Sequence, residues 1–256
     1  MPWIDSHCHC TDEIWRADPV HFFQTMRSAG CEALIQGGID PEDWKRQLAL
    51  PAPPELTIIP VFGLHPWTVL AQSPAQLEED FKILATMLPQ AGALGETGLD
   101  FFRGGAAAER KKQTEWFSRQ LDLARQHQKP CVLHLVRAYP DAFHVYKKHK
   151  LPERGLLHSF WAPRKQVQGF IDDGWLLSVH PRILRGDPHG ILTRFPREQL
   201  VFESDAPFPT VAGGFTSPAL TWQILQHVAN MWSMPPEELA VQQRKRLSQL
   251  FPLFLT

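Results

Sequence analysis

Residues 3–9, Trp3-Ile4-Asp5-Ser6-His7-Cys8-His9, begin apolar and end in two imidazoles spaced two residues apart. On a β-strand that spacing turns both side chains to one face. Neutral imidazole is the commonest side-chain metal ligand. The same pattern, a short apolar run closing on a ligand-type side chain, recurs at Gly95-Glu96, Leu133-His134, Leu157-His158 and Ser204-Asp205. These residues are therefore expected at the ends of buried strands.

Working outward, apolar runs predict eight strands, near 3–9, 32–37, 57–63, 92–96, 130–135, 154–158, 175–179 and 199–204. Amphipathic stretches between them predict helices near 19–29, 41–50, 74–88, 113–127, 138–149, 163–173 and 217–232, with a last helix over 235–250. In 113–127, for example, Trp116, Phe117, Gln120, Leu121 and Ala124 recur at helical spacing. Asp40 before Pro41, Ser73 before Pro74 and Ser217 before Pro218 each place a cap ahead of a first-turn proline. Strict alternation of strand and helix points to the α/β class and a (β/α)8 TIM barrel, as a single domain over residues 1–256. The glycine pairs at 104–105 and 213–214 follow ligand-bearing strands and read as loops at the barrel mouth.

The composition suits one large core, with 43% hydrophobic residues in 256. Its 26 basic and 27 acidic residues leave a net charge of −1, without the basic footprint of a nucleic-acid binder. A nucleic-acid substrate would have to be held locally. The clusters Arg110-Lys111-Lys112, Lys147-Lys148-His149-Lys150, Arg182 with Arg185, and Arg244-Lys245-Arg246 read as solvated faces. Cys8, Cys10, Cys31 and Cys131 show no CxxC spacing and read as reduced, buried thiols, Cys8 facing away from the two histidines beside it. Neither a secretory start nor an apolar run near the roughly 20 residues of a membrane span is present, so a soluble, cytoplasmic protein without membrane contact is expected.

In such a barrel the carboxyl ends of the strands carry the chemistry. His7, His9, His65, Glu96, Asp100, His134, His158, His180 and Asp205 all fall at or just after predicted strand ends. One histidine so placed is more often a satisfied structural side chain. A ring of imidazoles and carboxylates at one mouth is costly to desolvate unless hydrogen-bonded or tied to a cation. Four imidazoles and two carboxylates, His7, His9, His134, His158, Glu96 and Asp205, suit Zn²⁺, Mn²⁺ or Mg²⁺ and are too nitrogen-rich for a calcium cage. A single catalytic zinc needs three protein ligands, so six candidates favour two divalent ions roughly 3.5–4 Å apart, bridged by Glu96. Such a pair would activate a water and neutralise charge on a phosphoryl or carbonyl oxygen.

The segments Ile4-Asp5-Ser6-His7-Cys8-His9, Gly63-Leu64-His65-Pro66, Gly95-Glu96-Thr97-Gly98-Leu99-Asp100, Val132-Leu133-His134, Leu157-His158-Ser159-Phe160 and Glu203-Ser204-Asp205-Ala206-Pro207 occur in this order, with Leu250-Phe251 closing the series. Together they resemble the TatD family of metal-dependent deoxyribonucleases, amidohydrolase-like TIM barrels, of which this chain reads as a divergent member. The resemblance implies that His7, His9 and Asp205 hold one ion and His134 and His158 the other, with Glu96 between them. It also implies that Asp205 orients or deprotonates the attacking water, which makes Asp205 and Glu96 the catalytic pair. His65 and Asp100 then read either as groups that orient ligands or touch substrate, or as loop hydrogen-bonders. The chain departs from the family at three places. Val136 replaces the arginine of a His-x-Arg pattern, Ser178-Val179-His180-Pro181-Arg182 replaces a glycine-rich turn, and Arg246 stands where an asparagine is usual.

Trp67, Phe101, Phe102, Phe160, Trp161 and Phe208 follow strand ends, where they either cap the core or stack on unpaired bases at roughly 1–3 kcal/mol each. Trp67 and Trp161 are the stacking candidates, and Arg103, Arg137, Arg164, Arg182 and Arg185 are candidates for phosphate contacts. The expected substrate-binding set is thus His65, Asp100, Arg137, Trp161, Trp67, His180 and Arg182. The reading is a two-metal phosphodiesterase acting on DNA ends, single-stranded, as a 3′-to-5′ exonuclease. Two alternatives stay open. Val136 favours a metal-dependent ester or amide hydrolase of aminoacyl-ester or lactone type, because fold and metal centre do not separate these chemistries. TatD-like proteins of bacterial antiviral defence systems imply a nucleic-acid-binding or catalytic subunit with protein partners, in place of a monomer.

Overall fold

A computed structural model describes residues 2–151, 154–209 and 214–251. Nine strands fill the eight expected strand positions: β1 (Trp3–Cys8), β2 (Cys31–Gln36), β3 (Thr57–Ile59), β4 (Val61–Phe62), β5 (Ala93–Asp100), β6 (Cys131–Val136), β7 (Gly155–Phe160), β8 (Leu176–Val179) and β9 (Leu200–Phe202). Every pair is parallel, in the order β1-β2-β3 and β4-β5-β6-β7-β8-β9. The expected strand 57–63 is divided at Pro60, whose ring nitrogen cannot donate to a ladder. Its carbonyl still accepts from Gly92 N at 2.8 Å, so the ring continues across the break.

At the other seam, β9 returns to β1. Asp205 N donates to the His7 carbonyl at 3.0 Å and His9 N to the Ala206 carbonyl at 2.7 Å. Asp5 reinforces this seam from the interior, accepting from His7 N and Ser204 N at Oδ1 (3.2 and 2.9 Å) and from the Ser204 hydroxyl at Oδ2 (2.5 Å). Burial pushes its carboxyl up to about 8.

Two apolar clusters follow from the alternation of the strands. Ile4, Ile35, Ile59, Val61, Val132, Leu156 and Val201 form the smaller one, plugged by Leu247 and Phe251. Ile4, Val132 and Leu156 stand second in their strands, so the interior there is apolar below the polar residues at the carboxyl ends. Trp3, Leu34, Phe62, Leu94, Leu133, Leu157 and Phe202 join the larger cluster, with helical residues such as Trp44 and Trp116. Cys8, Cys10, Cys31 and Cys131 are all buried free thiols, as composition suggested.

The helices are α1 (Pro19–Ser28), α2 (Pro41–Leu48), α3 (Pro66–Ala71), α4 (Pro74–Met87), α5 (Ala107–His127), α6 (Tyr139–His149), α7 (Arg164–Asp172), α8 (Ile191–Arg194), α9 (Leu220–Met231) and α10 (Pro236–Leu250). Asp40 and Ser73 cap α2 and α4 as expected, accepting from Asp43 N at 2.8 Å and Gln76 N at 3.2 Å. Ser217 does not cap. Its carbonyl accepts from Leu220 N in a turn, and α9 starts only at Leu220. α5 begins six residues before the expected 113, because the Glu109 carboxylate reaches back to Ala106 N at 3.0 Å. Arg246 bonds the Leu200 carbonyl at 2.7 Å, at the amino end of β9, so that departure lies at the opposite end of the strand from Asp205. No described helix is long and apolar enough to cross a membrane.

Candidate metal centre

Each of three ladders becomes irregular where a candidate ligand stands. The register shifts between Asp5 and Cys8 in β1, between Leu94 and Thr97 in β5, and between Leu157 and Phe160 in β7. Those intervals contain His7, Glu96 and His158. Breaks of this kind re-aim side chains at strand ends. Here they bring together residues far apart in the chain.

Glu96 is the hub, 1% exposed. Its Oε1 lies 3.4 Å from His7 Nε2 and 3.5 Å from His9 Nε2. Its Oε2 lies 2.5 Å from His158 Nε2, 3.3 Å from His134 Nδ1 and 3.6 Å from His65 Nε2. Asp205 Oδ1 stands 3.7 Å from His9 Nε2. The six residues expected to bind cations thus converge, and one carboxylate faces two imidazole sets with its two oxygens. Three groups offer ligand atoms within 4.8 Å of one another: His7, His9 and Glu96; His7, His158 and Asp205; His65, Glu96 and His134. His65 therefore lies within this cluster, a residue the sequence left between ligand-orienting, substrate-contacting and loop-bonding roles. Its Nδ1 accepts from Trp67 N at 3.1 Å, capping α3, so in the neutral ring Nε2 carries the hydrogen and faces Glu96 Oε2 as a donor.

The donor chemistry fits divalent cations. Both ring nitrogens of His7, Nδ1 of His9, Nε2 of His134, Nδ1 of His158 and both oxygens of Glu96 are buried without a hydrogen-bond partner. Of these, His7 Nε2 and both Glu96 oxygens face the shared centre, where leaving them unpaired is costly and a bound cation would offset that cost. Burial, aided by neighbouring imidazoles, pushes His7 and His65 down to about 4, so both are neutral; His7 keeps its lone pair without a hydrogen-bond partner, while that of His65 accepts from Trp67 N. Burial alone would raise Glu96, but the imidazoles of His158, His7 and His65 hold its carboxyl well below the usual carboxylate range. Asp205 is likewise held low, burial being outweighed by His158, His7 and His9. His158 and His134 move up: burial opposes the shift, but Glu96 with Glu203 outweighs it at His158, and Asp100 with Glu96 at His134.

A cleft of about 440 Å³ opens over these donors, lined among others by His65, Trp67, Phe208, Arg16 and Arg46. Trp67, one of the two stacking candidates, stands in this cleft. It lines the cleft 42% exposed, its Nε1 donates to Asp100 Oδ2 at 2.7 Å, and the Arg103 guanidinium covers one ring face at 3.5 Å. Asp100 lies behind His134, 3.6 Å from its Nε2. The other expected contacts are not among the lining residues. Trp161 packs beside His189 and His180, at centroid distances of 5.5 and 6.3 Å. His180 is pushed down to about 4 by burial, and its Nδ1 accepts from Arg182 N at 2.9 Å. Arg182 itself is exposed. Arg137 has φ +57°, which swings it onto the Phe102 ring at 4.6 Å. Arg164 bonds the Arg194 carbonyl, and Phe101 and Phe160 are core residues.

Two arginines that the sequence reading missed do line the cleft, Arg16 beyond β1 and Arg46 in α2. Their helical surroundings look like any solvated face. Gly37 was missed too: a Cβ there would meet His9 Cε1 at 2.3 Å, Glu96 Oε1 at 2.6 Å and His7 Nε2 at 2.8 Å. Only the close packing of strand ends reveals that requirement.

A sequence profile described as TatD related DNase matches residues 4–252. The uncharacterized metal-dependent hydrolase YjjV of Escherichia coli (strain K12) is 29% identical over 211 residues, 80% of this chain and 79% of that protein. The 3'-5' ssDNA/RNA exonuclease TatD of Klebsiella pneumoniae (strain 342) is 30% identical over 202 residues, covering 74% and 75%. The crystal structure of E. coli YjjV matches with a TM-score of 0.85 at 24% identity over 98% of both chains, which establishes a shared barrel fold.

Proposed function

The chain belongs to the TatD-related DNase family and is a metal-dependent hydrolase; on that footing we propose that it is a two-cation phosphodiesterase removing nucleotides from 3′ ends of single-stranded DNA. The observation that carries the reading is the shared Glu96 carboxylate, one oxygen toward His7 and His9 and the other toward His134 and His158. His7, His9, Asp205 and Glu96 would hold one cation; His134, His158 and Glu96 the second, with His65 adjacent. Divalent cations bound there supply Lewis-acid polarisation of a phosphoryl oxygen and make water acidic near neutral pH.

The chain's own groups do the rest. Asp205 opens to the cleft with its side chain 23% exposed, and Oδ2 accepts the Ser159 hydroxyl at 3.2 Å. Its lowered pKa keeps it anionic, ready to accept a proton from an attacking water. Trp67 and Phe208 offer rings to a terminal base, and Arg16 and Arg46 offer donors to a neighbouring phosphate. The Klebsiella relative, named as an exonuclease on single-stranded DNA and RNA, supports this substrate class.

The test is digestion of end-labelled single-stranded DNA with Mg²⁺, Mn²⁺ or Zn²⁺. The wild type should shorten it from the 3′ end, and Asp205→Asn should be slower by about 10²-fold or more, within the range for general-base catalysis. Intact DNA under all three metals would overturn the nuclease reading. One observation favours a second reading, hydrolysis of carboxyl esters or amides: Val136 stands where a cation would flank a phosphate. A panel of phosphodiester and carboxyl-ester substrates under one metal condition separates the two.

A further inference from the structure

Just beyond β9, within reach of the end of β7, stands a carboxylate that the scheme above does not use. Glu203 is 0% exposed. Its Oε1 accepts the Ser159 backbone N–H at 2.6 Å and lies 3.8 Å from His158 Nδ1, while Oε2 has no hydrogen-bond partner. Ser159 is left-handed at φ +49° and donates its hydroxyl to Asp205 Oδ2 at 3.2 Å. One residue of β7 is thus tied by its backbone to Glu203 and by its side chain to Asp205, two residues further along the same segment.

His158 consequently lies between two carboxylates, with Nε2 2.5 Å from Glu96 and Nδ1 on the Glu203 side. A buried carboxylate needs a charged or hydrogen-bonding neighbour, and a proton on His158 Nδ1 provides one. That proton leaves Nε2 as the lone pair facing the centre. Asp100 stands behind His134 in the same way, 3.6 Å from Nε2 while Nδ1 faces Glu96 at 3.3 Å. His7 and His9 differ: among the described residues no carboxylate is paired with either Nδ1, whereas Glu203 and Asp100 stand within 4 Å of the outer nitrogens of His158 and His134.

We propose that Glu203 is a positioning residue, which fixes His158 with Nδ1–H toward β9 and Nε2 toward the second cation, and which through Ser159 sets the placement of Asp205. The inference rests on the two-cation reading of the site and is independent of the substrate.

Glu203→Gln keeps the size and an acceptor for Ser159 N–H but removes the charge. Calorimetric titration of chelator-stripped protein with Zn²⁺ should show one of two binding events weakened by about 10–100-fold, as for other groups that orient metal-binding histidines. The metal-free unfolding midpoint should stay within about 2 °C, a shift under 1 kcal/mol for a chain of this size. In a His158→Asn background, adding Glu203→Gln should change nothing further, because Glu203 acts through that ring. Unchanged affinities, or equal weakening in both backgrounds, would overturn the proposal. A wild type that binds no Zn²⁺ refutes the two-cation reading and the proposal with it; a wild type that binds two, with an unaffected variant, refutes the role of Glu203 alone. The wild type also tests the idea without substitution. Long-range ¹⁵N–¹H spectra of the zinc-loaded protein should show His158 protonated at Nδ1, and protonation at Nε2 would contradict it.

Discussion

Gly37→Ala replaces one hydrogen by a methyl group at a buried position, and its effect can be worked out from contacts. The new Cβ would stand 2.3 Å from His9 Cε1, 2.6 Å from Glu96 Oε1 and 2.8 Å from His7 Nε2, where ordinary contact begins near 3.4 Å. His9 must retreat by about 1 Å, and the hub carboxylate by almost as much. The alternative, a shift of β2 away from β1, breaks a paired seam at Asp5↔Leu34 and Cys8↔Gln36. Overpacking of this kind costs about 1–3 kcal/mol, which lowers the unfolding midpoint of a chain this size by about 2–4 °C per kcal/mol. A misplacement of about 1 Å at reacting groups costs on the order of 10²-fold in rate. Activity should therefore fall about 100-fold, and cation affinity with it, while the protein stays folded at 25 °C. Calorimetric cation titration and steady-state kinetics on the purified variant read both numbers. If Gly37→Ala binds cations and turns over within threefold of wild type, the close packing of His7, His9 and Glu96 is wrong.

Other expected outcomes follow from the same geometry. Arg46→Gln should raise KM for single-stranded DNA with kcat little changed and reduce the salt slope of binding by about 0.7, the value for one lost phosphate contact on a single strand; an unchanged slope would remove Arg46 from the substrate. Trp161→Ala, outside the cleft lining, should leave kcat/KM within threefold, whereas Trp67→Ala should lose about 1–3 kcal/mol of binding, read by titration of a fluorescent oligonucleotide. Asp5→Ala strands three donors at the β9–β1 seam, and at about 1–3 kcal/mol for a buried donor left unpaired should destabilise the fold by several kcal/mol in urea; Asp5→Asn, which keeps the Oδ1 acceptor, should cost much less. Stripping the protein with a chelator should lower its unfolding midpoint, since a cation at 100 times its Kd stabilises by about 2.7 kcal/mol; a midpoint indifferent to chelation and to re-addition of Zn²⁺ would contradict a cation centre.

The strand-end donors were legible because a ligand-type side chain closing an apolar run has few structural uses, and parallel strands bring their carboxyl ends to one mouth. Glu96 was readable as a candidate bridge from its place in the series, and the structure places its two oxygens toward two sets of imidazoles. His65 was harder. Its strand is two residues long, a glycine-leucine loop intervenes, and the proline that follows opens the short helix α3, which has too few turns for a periodic signal. The substrate contacts were the least legible. Arg103 and Arg137 follow strand ends as a phosphate contact would, but their guanidinium groups lie on Trp67 and Phe102. Arg16 and Arg46 reach the cleft from elements whose charge pattern matches any exposed face. Which loop folds over a mouth depends on packing between elements, and periodicity within one element carries no record of it. Glu203 was visible as part of a motif, yet its role depends on contacts with His158 and Ser159, 44 to 45 residues away in the chain.

The central claim, one carboxylate serving two cations, is tested most directly by metal content. Wild type and Glu96→Ala, dialysed against limiting Zn²⁺ and analysed by plasma mass spectrometry alongside circular dichroism, should give two ions per chain for the wild type and at most one for the folded variant. Two ions retained without Glu96, or none in the wild type, would contradict it.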